Sequence, residues 1–190
     1  KVAQAAAPYS NIQMVFSPGD ISNRNVTIEQ FYPGDQYVDW VGMSTYQNTN
    51  YLDVYGNPMT YSLSGTPASN PYYGTGIYDY DPMVVIKPIV DLAKSHNKPV
   101  MISECGFGYR NYSTDQTAYA VDQMNKFYSY VNMVYPQVKA VFYFDVDLDG
   151  GRYDYSLNGN AAVMSAYRSA IEQNGAYLAE GQTSAVGWEE

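Results

Sequence analysis

"KPVMISECGFGYR", Lys98 to Arg110, decides the fold. Val100, Met101 and Ile102 form a short, continuous apolar run, as expected of a strand buried on both faces of a parallel sheet. The run closes on Ser103 and a carboxylate, Glu104, and two glycines, Gly106 and Gly108, follow at once. Outward from this stretch, three more runs share its character: "NIQMVF" (Asn11–Phe16), "YVDWVGMSTY" (Tyr37–Tyr46) and "VKAVFYFDV" (Val138–Val146). Ser17-Pro18-Gly19-Asp20 closes the first and Pro33-Gly34-Asp35 introduces the second, residues suited to turns.

Helical patterns fill the intervals. One begins with Asp81 as cap and Pro82 in its first turn, and Pro88 predicts a kink or an early end. A second begins at Ser113 or Thr114 and repeats Tyr119, Met124, Phe127, Tyr128 and Val131 at helical spacing. A third runs from cap Asn160 to a stop at Gly175. "KVAQAAAP", from Lys1, reads as the tail of a helix whose start is absent, so the lack of a signal peptide carries no weight. This alternation predicts an α/β fold with a parallel sheet. Four strands match half of a (β/α)8 TIM barrel, which typically takes about 250 residues. Residues 1–175 form the expected half-barrel and 176–190 a C-terminal tail. An open flavodoxin-like sheet is the alternative, but no glycine-rich phosphate loop follows the first strand.

Composition narrows the function. With 46% hydrophobic and 15% charged residues, the 190-residue chain has the makings of a packed core. A net charge of −9 argues against nucleic acid as a partner. No apolar run is long enough for a transmembrane helix. The single cysteine, Cys105, excludes an internal disulfide. The 22 tyrosines suit half-wet, sugar-binding surfaces and packing positions alike. The long connection Gln47–Tyr80 holds seven of them and reads as a sugar-stacking rim or as a self-packed loop.

In (β/α) barrels, functional residues lie at the C-terminal ends of the strands. Those ends carry Ser17 and Asp20, then Tyr46, then Glu104, then Asp145, Asp147 and Asp149. Glu104 can act as nucleophile or acid/base, or be a capping carboxylate. A Tyr46 hydroxyl can hydrogen-bond a neighbouring carboxylate. Phe107 and Tyr109 can offer ring faces to a ligand or pack as a lid. Asp145, Asp147 and Asp149 match a calcium loop in part, but Ser156 stands where its glutamate belongs. The sole histidine, His96, precedes the strand and so falls at the opposite end from Glu104 and Cys105. This disfavours Cys-His and Ser-His-Asp catalysis, and zinc ligands are lacking. No metal or cofactor is expected.

"QFYPGDQYVDWVGMSTY" (Gln30–Tyr46), followed by "KPVMISECG" (Lys98–Gly106), resembles glycoside hydrolase family 26, the family of β-mannanases and related β-glycanases. "VFSPGD" (Val15–Asp20) is similar to the family's fifth-strand motif. The resemblance implies strands 5–8 of the barrel, with Glu104 as catalytic nucleophile and Tyr46 as the tyrosine that contacts it. It implies hydrolysis of β-linked polysaccharide, β-1,4-mannan foremost, by retaining double displacement, and a secreted or cell-surface setting. The family's acid/base lies on the fourth strand, outside this sequence, so the missing N-terminal half is the expected partner and the chain alone is expected to be inactive. After the eighth strand, Asp154-Tyr155 replaces an Asp-Trp pair, leaving Tyr155 as the candidate aromatic sugar contact. A barrel that binds carbohydrate without turnover is the alternative.

Overall fold

The structure, a computed structural model, describes residues 1–9, 11–18, 27–48, 51–52, 58–59, 82–111, 114–148 and 153–174. Helix α1 (Val2–Ala6) leads to β1 (Val15–Phe16), and two 3-10 turns, Ile28–Phe31 and Asp35–Tyr37, lead to β2 (Trp40–Gln47). A short pair, β3 (Tyr51–Leu52) and β4 (Pro58–Met59), precedes α2 (Pro82–Ser95) and β5 (Val100–Phe107). Then come β6 (Arg110–Asn111), β7 (Thr114–Asp115), α3 (Thr117–Val134) and β8 (Val138–Tyr143). The described chain ends with β9 (Asp147–Leu148), β10 (Tyr153–Asp154) and α4 (Ala161–Glu172).

The main sheet has the order β1-β2-β5-β8, and every pairing in it is parallel. Each strand lies beside the next one in sequence, without the reversal of strand order that marks a doubly wound sheet. The fold is therefore α/β with a parallel sheet, as the apolar runs predict. One face of the sheet packs on the helices: Val41, Val100, Ile102, Cys105 and Phe107 share a buried core with Ile86 and Val90 of α2 and Met124, Phe127 and Val131 of α3. The other face carries Ser44, Glu104 and Phe142, all exposed.

Local signals account for most boundaries. The Asn160 side chain accepts hydrogen bonds from the Ala162 and Val163 amides at 3.0 and 3.2 Å, capping α4 as read. Helix α3 starts later than expected, at Thr117, because Thr114–Asp115 pairs with β6 instead. Asp115 then accepts from the Thr117 amide at 2.8 Å and does the capping. Helix α2 runs through Pro88, which neither ends nor shortens it. Pro88 is exposed, so water can take the carbonyl that loses its donor. Asp81 and Gly175, read as cap and stop, lie outside the described residues, as does the 176–190 tail.

His96, after α2, clamps the segment that leads into β2. Its Nδ1 meets Asp35 Oδ1 and its Nε2 meets Glu29 Oε1, both at 2.8 Å, while the ring stacks on Tyr32 at 3.9 Å. Carboxylates only accept, so both contacts are satisfied together only by the doubly protonated imidazolium. Glu29, then Asp35, raise the His96 pKa above the usual histidine value. Tyr32, then His96, hold the Asp35 carboxyl below its usual value. A raised folded pKa stabilises fully below histidine's ordinary value and is lost as pH rises through the folded one. The depressed Asp35 contribution is lost in the other direction, as pH falls through its folded value. We predict that His96→Gln lowers the thermal midpoint most at about pH 5.5, and that the gap to wild type narrows at about pH 9. A gap that widens on the alkaline side would contradict the clamp.

Candidate active site

A bulge aims Glu104. In the β2–β5 ladder Met43 pairs with Ile102 but Ser44 pairs with Glu104, so Ser103 is an extra residue on β5. Ile102 and Cys105, three positions apart, both have no exposed surface and face the helices. Strict alternation would send Glu104 into that core; the extra residue turns Ser103 and Glu104 to the open face together. The strand then continues to Phe107, three residues beyond the end expected from the apolar run.

Tyr46 stands across from Gly106 on the neighbouring strand, and its hydroxyl donates a hydrogen bond to Glu104 Oε2. Its ring sits between Phe144, edge-on at 5.5 Å, and Tyr155 at 5.2 Å. Burial, then the contact with Glu104, push the Tyr46 phenol above the usual tyrosine range, so it remains a neutral donor. A phenol hydrogen bond at one carboxylate oxygen restrains the rotation of the group.

The loops beyond β5 and β8 are tied by charge. Arg110 Nη2 reaches Asp154 Oδ2 at 2.7 Å and Asp147 Oδ1 at 3.4 Å. Burial works against the charge on Asp154, but Ser156, Tyr109 and Arg110 outweigh it and hold that carboxyl below its usual range. Asp145 Oδ1 accepts from the Leu157 amide at 2.7 Å. Two of the three aspartates of the partial calcium pattern are thus engaged by protein donors, and Asp149 lies outside the described residues. Among the described residues no cluster of three His, Cys, Asp or Glu side chains could hold a metal ion.

The structure brings Glu104, Tyr46 and Tyr155 together at one end of the sheet, with Asp145 just past β8. Phe107 is 1% exposed and lies in the core against Phe127, Tyr128 and Tyr143 rather than at a rim. Tyr109 is 5% exposed, with its hydroxyl 3.0 Å from Ser156 Oγ. Tyr155 is 3% exposed. Burial pushes the Cys105 thiol up to about 12, so it is no nucleophile. Asp20 and most tyrosines of the long connection lie outside the described residues. Sequence reading passed over Asn48, buried one residue after β2, whose Nδ2 donates to the Tyr155 hydroxyl at 2.7 Å across 107 positions.

Residues 7–64 match the model of glycosyl hydrolase family 26. No curated protein matches the chain. Among solved structures, an engineered protein aligns over 92% of this chain and 32% of its own, with 17% identity and a TM-score of 0.51. A double mutant of the Cellulomonas fimi endo-β-1,4-mannanase aligns over 86% of this chain and 31% of its own, with 20% identity and a TM-score of 0.48. A β-1,4-mannanase of family GH113 aligns over 89% and 48%, with 10% identity and a TM-score of 0.48. The chain spans about a third of the first two structures. The matched segment includes the turn and strand that deliver Tyr46 and ends before Glu104, so over residues 7–64 this chain is glycosyl hydrolase family 26-like.

Proposed function

We propose that this chain supplies strands five to eight of a (β/α)8 glycoside hydrolase barrel, with Glu104 the nucleophile of a retaining endo-β-glycosidase acting on β-1,4-mannan. The observation that carries the reading is the bulge-aimed Glu104, held by the Tyr46 hydroxyl on the exposed face of a parallel sheet. The family 26 match supports the reaction class. The half-barrel reading draws on the sequential strand order and on β1 and β8, which have one neighbour each in the main sheet among the described residues. A second half, with four more strands, would cover both edges. Residues 1–175 would form the barrel half and 176–190 a tail. The family resemblance supports a secreted or cell-surface setting for this reaction.

In this account Glu104 attacks the anomeric carbon and the glycosidic C–O bond breaks. The leaving oxygen takes a proton from a carboxylic acid on the other half, about 5–5.5 Å from Glu104. The same group then removes a proton from water, which cleaves the glycosyl-enzyme from the opposite face and restores the β configuration. Among the described residues past β8, Asp147 and Asp154 are held by Arg110 and Asp145 Oδ1 by the Leu157 amide, which fits an acid/base on the other half. Asp145 keeps Oδ2 for a sugar hydroxyl. Proton NMR of fresh digests of β-1,4-mannan by the complete protein should show the β-anomer of the new reducing end first. The α-anomer first would overturn the retaining mechanism.

A further inference from the structure

We propose that Tyr155 is a positioning residue that sets the Tyr46 ring, and through it the Glu104 carboxylate, rather than a platform for sugar. The inference rests on the glycosidase reading above. Tyr155 is anchored at three points. Its amide donates to the Val146 carbonyl at 3.0 Å, its carbonyl accepts from the Tyr143 hydroxyl at 2.9 Å, and its hydroxyl accepts from Asn48 Nδ2 at 2.7 Å. At 3% exposure it has no ring face left to stack on a ligand. What its ring does touch is Tyr46, at 5.2 Å, and Phe144, at 6.2 Å.

The two glycines after Glu104 make room for this brace. A Cβ on Gly106 would lie 2.7 Å from Tyr155 Cδ1 and 3.1 Å from Tyr46 Cδ1. A Cβ on Gly108 would lie 2.0 Å from Asn48 Oδ1. The two glycines behind Glu104 thus serve three approaching side chains: Gly106 admits the paired rings and Gly108 admits the amide that holds the outer one. A chain of contacts runs from Asn48 through Tyr155 and Tyr46 to Glu104.

Kinetics of Tyr155→Leu, Tyr155→Phe, Tyr46→Phe and the Tyr155→Leu/Tyr46→Phe double variant in the complete protein test it. Tyr155→Leu should lower kcat by roughly ten- to a hundredfold, with KM changed by less than about threefold. Tyr155→Phe, which keeps the ring, should stay within about threefold of wild type. In the Tyr46→Phe background, Tyr155→Leu should cost nothing further. Losses that multiply, or a raised KM at unchanged kcat, would overturn the proposal. A turnover-free readout accompanies these: the 13Cζ resonance of Tyr46, assigned by its absence in Tyr46→Phe, should shift in Tyr155→Leu and hold in Tyr155→Phe. An unmoved resonance in Tyr155→Leu would also overturn the proposal. If wild type itself turns over no glycan, the glycosidase reading fails while this resonance still decides the positioning. Should Tyr155→Leu not fold, Tyr155→Met should give the same readouts in smaller measure, and their absence there would overturn it equally.

Discussion

Glu104→Gln in the complete protein is expected to lower kcat on β-1,4-mannan by roughly 10⁴-fold or more, with folding intact. The amide is nearly isosteric and its oxygen can still accept from the Tyr46 hydroxyl, so the packing around β5 has no reason to change. On the proposed mechanism the substitution removes the nucleophile, and with it the covalent route that divides one difficult displacement into two easier ones. Steady-state hydrolysis of mannan and of mixed-linkage glucan, with thermal unfolding as the folding control, checks it. Near-normal turnover on both substrates would remove Glu104 from the reaction.

Tyr46→Phe is the second large effect, expected at roughly 10²-fold in kcat. Phenylalanine keeps the ring between Phe144 and Tyr155 and deletes only the donor to Glu104 Oε2. The carboxylate then rotates about its terminal torsion, which is intrinsically broad, and fewer of its orientations point an oxygen at the anomeric carbon. Because the ring contacts survive, KM should move by less than about threefold. Unchanged kcat would show that the orientation of Glu104 does not depend on this hydroxyl.

The strands were legible because a parallel strand packed against helices carries few polar residues in its buried run. All four apolar runs are strands of the main sheet. The first shrinks to Val15–Phe16, paired among the described residues with β2 alone. The position of Glu104 was legible, but the device that aims it was not read. Ile102-Ser103-Glu104-Cys105 runs apolar, polar, polar, apolar, and that break in the period of two is the bulge written in sequence. Asn48 and Tyr155 carry no such mark. They are 107 positions apart, on segments that follow β2 and β8, and they meet across the end of β5, where Gly108 leaves the room. Phe107, attractive as a rim aromatic, obeys the alternation that resumes after the bulge and goes inward, and Tyr109, two residues past β5, is buried with its hydroxyl on Ser156.

The central claim is a covalent bond between Glu104 and a sugar. An activated 2-deoxy-2-fluoro mannoside oligosaccharide, incubated with the complete protein, slows breakdown of any glycosyl-enzyme enough for peptide mapping by mass spectrometry. One added glycosyl mass is expected, on the peptide that contains Glu104 and on that residue. A glycosyl adduct on any other carboxylate, or turnover of the natural glycan with no adduct on Glu104, would contradict it.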